Sequence, residues 1–158
     1  MEFLAWLENS AFSTWIRTTP SIFGYVGVLF LHTAGFAVVI GISLVLDLRI
    51  LGAIREIPIA GLNRFFPVIW TGVCLNVCSG AVLFAQDATT RAGNPMFAIK
   101  LLLVALALGD TVLIQRAIGR PAIGSSASSG KGLALASLVL WLGVVTAGRM
   151  MAYVTQSG

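Results

Sequence analysis

Four long stretches of the chain are apolar almost without interruption, and most polar residues gather between them. The stretches run from about 21 to 46, 66 to 86, 96 to 118 and 132 to 154. Each meets the length of roughly 20 residues that a helix needs to cross a hydrocarbon core of ~30 Å. In lipid every backbone polar group must be satisfied within the protein, and runs of this length do so as helices. The pattern predicts an all-α protein, an integral membrane four-helix bundle. Residues 1–19 read differently, with Phe3, Leu4, Trp6, Leu7, Phe12, Trp15 and Ile16 set among polar residues. That mixture suits an N-terminal interfacial helix with its aromatics at headgroup level. Pro20 and Pro95 suit the first turns of the first and third spans. Residues 124–130 read as a flexible linker by composition.

Composition narrows the class further. The chain has 158 residues, 58% hydrophobic and 10% charged, against about 25% charged in ordinary soluble domains. It could not cover a soluble surface, and its length fits a single membrane domain over residues 1–158. The net charge of +4 is spread between the apolar runs and gathered on no one face, which argues against nucleic acid as a partner. These charges orient the chain. Arg49, Arg55 and Arg64 follow the first span, and Arg116, Arg120 and Lys131 follow the third, whereas the other side has Arg17 and Arg91. The positive-inside rule then places both termini outside, on the periplasmic side. The start, Met1-Glu2-Phe3, lacks the basic region of a secretory signal, so no cleavage is expected.

Ionisable residues within the spans are costly and mark candidate sites. His32 lies 17 residues before Arg49, about 25 Å along a helix. Lys100 lies 16 before Arg116, about 24 Å, and Arg149 lies 18 after Lys131, about 27 Å. Three helices thus bring these residues to one level in the outer leaflet, where Asp87 could join them. Gly35 shares the face of His32 and leaves room for a partner helix or a flat ligand. Lys100 and Arg149 also suit simple anchors that snorkel to the surface.

Other features point less far. Cys74 and Cys78 share a helical face and, with Met96, Met150 and Met151, form a set of soft ligands suited to Cu(I); packing is the simpler role for the cysteines. Gly72, Asn76, Ser79 and Gly80 form a stripe suited to helix–helix contact. Asp110 is placed to pair with Asn76 or another polar group, and Asp47 with Arg49. Trp70-Thr71-Gly72-Val73 recurs as Trp141-Leu142-Gly143-Val144, a faint sign of two parallel hairpin repeats.

Several runs together resemble a family of uncharacterised four-helix bacterial integral membrane proteins. They are Leu31-His32, Leu46-Asp47-Leu48-Arg49-Ile50-Leu51-Gly52, Ser79-Gly80-Ala81-Val82-Leu83-Phe84, Asn94-Pro95-Met96-Phe97-Ala98-Ile99-Lys100-Leu101 and Ala147-Gly148-Arg149. This resemblance covers nearly the whole chain and implies a multi-pass protein of the bacterial inner (cytoplasmic) membrane. A histidine in a glycine-containing first span, with a lysine opening a later leucine-rich helix, is more loosely similar to two other groups. These are the copper-resistance D membrane proteins and the HemJ-type protoporphyrinogen oxidases. The latter resemblance implies haem binding through His32 and a need for Lys100; the further histidines of that oxidase are missing here.

The first expectation is accordingly a haem b-binding membrane protein acting in electron transfer or tetrapyrrole redox chemistry. His32 would be the metal ligand, and Lys100 and Arg149 would bind the propionates. Copper binding or transport through His32, Cys74, Cys78 and the methionines is a second reading. A non-catalytic subunit or assembly partner of a larger membrane complex is a third, and a homo-oligomer fits any of them. Nothing in the chain resembles a P-loop, a nucleophile elbow or a zinc motif.

Overall fold

The computed structural model describes residues 2–19, 23–118 and 127–154. Pro20, Arg120 and residues 124–126 of the expected linker lie outside them. The order of elements is α1 (Glu2–Glu8), α2 (Ala11–Thr18), α3 (Tyr25–Leu51), a 3₁₀ segment (Ile59–Phe65), α4 (Phe66–Ala85), α5 (Ala88–Gly93), α6 (Pro95–Ile118) and α7 (Ala127–Val154). The architecture is all-α, and α3, α4, α6 and α7 are long and apolar enough to cross a membrane. Helices apolar on all sides belong in a lipid environment. Leu102, Leu106, Val139 and Leu142 accordingly point outward and exposed, where lipid tails would cover them.

Local chemistry sets the boundaries. Helix α3 continues past Leu46 to Leu51 and stops at Gly52, whose φ of 89° is the left-handed conformation that closes many helices. The Gly52 and Ala53 amides cap the last turn by donating to Arg49 O (3.1 Å) and Leu48 O (2.9 Å). Helix α6 begins at Pro95, and the Asn94 side chain accepts from Met96 N at 2.9 Å, satisfying one of the orphan amides of the first turn. Ala127–Gly130, assigned to a linker by composition, are helical and form the first turn of α7. The expected single interfacial helix is broken in two at Asn9–Ser10. Ser10 caps α2 by accepting from Ser13 N at 3.2 Å. Phe3, Trp6, Phe12 and Trp15 on these two helices are exposed, as interface anchors are.

The bundle packs chiefly as α3 on α4, α6 on α7 and α3 on α7. Glycine permits the first of these contacts. A Cβ on Gly72 would stand 2.9 Å from Val39 Cγ2 and 3.3 Å from Gly35 O, and one on Gly35 would stand 3.2 Å from Gly72 O. Gly35 is thus occupied by a partner helix, one of the two roles its sequence position allowed. Gly143, the counterpart of Gly72 in the faint repeat, faces Leu103 across α6 and α7. The middle of the bundle is filled by Val39, Ile69, Ala107, Trp141 and Val144, all buried. A cross-bundle bond from Trp70 Nε1 to Gln115 Oε1 (3.1 Å) ties α4 to α6. At one end α1, α2 and α5 close the bundle, with Ser13 Oγ donating to Ala85 O. The 3₁₀ segment closes the other.

Candidate functional site

A cavity of about 780 Å³ opens among α3, α4, α6 and α7 toward the end that carries α5. His32, Lys100 and Arg149, placed at one depth by residue counting, all line it. Arg91 of α5 lines it as well, although its sequence position marks it only as a charge between spans. The chain turns at Gln86–Asp87 and runs back along α5, bringing Arg91 over the mouth. The lining holds Arg91, Lys100 and Arg149 beside His32 and, among the described residues, no carboxylate. Arg91 lies within electrostatic reach of both Lys100 and His32. Asp87 does not join the lining; it forms a loose ion pair with Arg91 Nε at 3.6 Å. Among the described residues Lys100 and Arg149 form no ion pair of their own. Apart from Thr33 and Asn76 the walls are chiefly apolar and aromatic. Phe84 and Phe97 stack at 5.3 Å, and Phe36 meets Trp141 edge-on at 6.2 Å.

The setting of His32 is more specific than its depth. Its Nδ1 lies 3.2 Å from Asn76 O and 3.0 Å from Ser79 Oγ. A backbone carbonyl only accepts, and the Ser79 hydroxyl already donates to Leu75 O at 2.7 Å. Nδ1 therefore carries the proton and donates to both, which leaves the lone pair of the neutral ring on Nε2. Asn76 Nδ2 returns a bond to His32 O at 2.8 Å. Gly80 makes room for the ring: a Cβ there would stand 3.1 Å from His32 Cε1. The stripe that reads in sequence as helix contact is thus also the seat of the imidazole. Asn76 serves His32 and not Asp110, contrary to the pairing its polarity suggested, because the rotation of α4 turns it toward α3.

The soft-ligand set is not assembled. Cys74 and Cys78 are exposed on the outer face of α4 and do not line the cavity. The same rotation that seats Asn76 and Ser79 inward turns these cysteines outward, away from the packed positions expected of them. Met150 is also exposed, while Met151 lines the cavity. Among the described residues no three His, Cys, Asp or Glu side chains cluster in a way that could hold a metal ion.

Asp47 and Arg49 do not pair either. Residues two apart on a helix point to different sides; Asp47 faces inward and is 1% exposed, whereas Arg49 Nε donates to Ile57 O. The chain matches no protein-family model, no curated protein and no solved structure.

Proposed function

We propose that this protein binds haem b in the cationic cavity and serves electron transfer or tetrapyrrole redox chemistry. Its setting would be the bacterial inner membrane, with both termini on the periplasmic side. His32 Nε2 would ligate the iron, and Lys100, Arg149 and Arg91 would hold the propionates. The observation that carries the reading is the hydrogen-bonded tautomer of His32 on a cavity whose charged lining residues, among the described ones, are all cationic. Metal-bound histidines characteristically donate their other ring N–H to a carbonyl or carboxylate, which fixes orientation and raises basicity. Nδ1 does so here toward Asn76 O. The cavity volume falls within the roughly 300–1,000 Å³ of small-molecule and cofactor sites, and its aromatic walls suit a flat ring system. Two carboxylates brought beside three cations in a low-dielectric setting would form strong charge-assisted bonds. When bound, haem supplies one-electron chemistry at its iron. The chain has one histidine, so any further protein ligand would be another residue type or belong to a second copy of the chain.

Purification from cells supplied with haem, followed by an absorbance spectrum and metal analysis, tests the reading. A Soret band with stoichiometric iron is expected, and His32→Ala should abolish it or change its ligation state. Lys100→Ala and Arg149→Ala each remove one charge-assisted bond worth about 1.5–3 kcal/mol. They should weaken retention by roughly one or two decades while leaving the ligand field unchanged. Wild-type protein without pigment, or a spectrum that survives His32→Ala, overturns the assignment.

A further inference from the structure

At the end of the bundle opposite the cationic cavity, α3, α6 and α7 enclose a second set of polar side chains. Ser43, Asp47, Asp110, Thr111 and Ser137 are all more than nine-tenths buried. Ser43, Asp47, Thr111 and Ser137 line a space of about 10 Å³, which is about the room one water-sized species occupies. Oδ2 of Asp110 and Oγ of Ser43 are buried without a hydrogen-bond partner, and the buried Asp47 carboxyl has only the Ser137 hydroxyl near it as a donor among the described residues. The Thr111 hydroxyl donates its proton to Ala107 O at 2.8 Å, so its remaining lone pairs can only accept.

Charge decides what belongs there. Among the described residues, the Ser137 hydroxyl and the Asp110 carboxyl act on Asp47, and no basic side chain acts on either acid. Arg49 is turned to Ile57 O, Arg64 lies over the Phe65 ring, and Arg116 and Lys131 are exposed. Once either carboxyl ionises, a lone water could satisfy its oxygens but not its buried negative charge, which needs a partner of opposite sign. The donors are all hard oxygens, the ligand type of non-transition cations. The space is too small for the several waters that Mg²⁺ retains or the six to eight ligands that Ca²⁺ takes.

We propose that Ser43, Asp47, Thr111 and Ser137 form a binding site for a small monovalent cation of sodium size, which exchanges with a proton, with Asp110 beside it as a second carboxyl that acts on Asp47. With both carboxyls protonated the site is neutral. Binding one Na⁺ and releasing one H⁺ leaves one carboxyl protonated, one ionised beside the cation, and the site neutral again. The site stands on residues separate from the cationic cavity and does not depend on what that cavity binds. Asp47 lies one turn from the end of α3 at Leu51, within reach of the 3₁₀-segment side.

The test adds NaCl to purified, weakly buffered protein and follows proton release with a pH indicator. Choline chloride at equal ionic strength is the control. Up to one proton per chain should appear with sodium, none with choline, and none with sodium in Asp47→Asn. Thermal unfolding in the same salts gives a second readout that uses wild-type protein alone, with sodium raising the midpoint above choline. Equal release with both salts, release with potassium but not sodium, or unchanged release in Asp47→Asn overturns the proposal. So does a wild-type protein whose proton count and midpoint ignore sodium.

Discussion

Gly80→Ala should separate the seating of His32 from the general packing of the bundle. Two opposed effects act on stability. Alanine in place of glycine within a helix favours folding by roughly 0.5–1 kcal/mol. The new methyl carbon would stand 3.1 Å from His32 Cε1, so the ring must move a few tenths of an ångström, and an off-rotamer side chain costs about 0.5–1.5 kcal/mol. The two nearly cancel, leaving stability within about 1 kcal/mol of wild type. Gly72→Ala is the contrast. Its methyl would lie 2.9 Å from Val39 Cγ2 and 3.3 Å from a backbone oxygen. Valine is stiff in a helix and a backbone cannot swing aside, so overpacking there should cost about 1–3 kcal/mol. The site reads the opposite way. Moving the ring lengthens the Nδ1 contact with Asn76 O, already 3.2 Å, and loss of such a partner typically lowers metal affinity about 10–100-fold. Gly80→Ala should therefore keep its unfolding midpoint and lose pigment, while Gly72→Ala lowers the midpoint. Denaturant titration in detergent measures the first quantity and absorbance the second. Because the chain has one histidine, isotope-labelled histidine also gives a single imidazole signal that reports the tautomer with or without pigment. A Gly80→Ala protein that is destabilised as much as Gly72→Ala, or whose imidazole signal is unmoved, refutes the reasoning.

Three further outcomes follow from other parts of the fold. Glu8 accepts from Thr89 N and Oγ1 at 3.1 and 2.6 Å, and chiefly the hydroxyl bond holds its carboxyl below the ordinary 4.5. The contact between α1 and α5 is therefore fully present above about pH 4.5 and is lost as the pH falls through the lowered folded-state value. Proteolysis within residues 2–10, followed against pH, should rise there, and Glu8→Gln should flatten the profile. Replacing both Cys74 and Cys78 with alanine should leave any pigment in place, since both face outward; loss of stoichiometric copper would instead favour a soft-metal site. Alkaline phosphatase fused to Gly158 should be active and a fusion within residues 125–129 inactive, the reverse pattern contradicting the outward termini.

The spans were legible because lipid demands long apolar runs, a requirement that does not depend on neighbouring helices. The end of α3 was less so. Asp47 and Arg49 look like a boundary, yet the helix runs on to Leu51, and the signal that ends it is Gly52 with its positive φ. The depth of His32, Lys100 and Arg149 could be counted from the flanking charges, because rise per residue is fixed in any α-helix. Rotation about the helix axis could not. Asn76 and Ser79 face α3 while Cys74 and Cys78 face outward because Gly35 and Gly72 set how α3 and α4 mesh. Apolarity on every side leaves no moment from which to read that angle. Arg91 was missed for a related reason: α5 folds back over the cavity, and a six-residue helix leaves little periodic trace.

The buried middle of the bundle has an electrical consequence. His32 and Asp47 are fifteen residues apart on α3, about 22 Å along its axis. Val39 and Val144, which form the floor of the cationic cavity, and Ala107 lie in the interval between them, each no more than 2% exposed. A packed apolar layer is a poor conductor beside the polar pockets at either end, so a potential across the membrane falls mostly over this layer. Moving one charge through the full potential is worth about 2.3 kcal/mol per 100 mV. The layer thus insulates, keeping Arg91, Lys100 and Arg149 at one face of the field and Asp47 at the other. A polar substitution at Val39 or Val144 should be felt first as leak current.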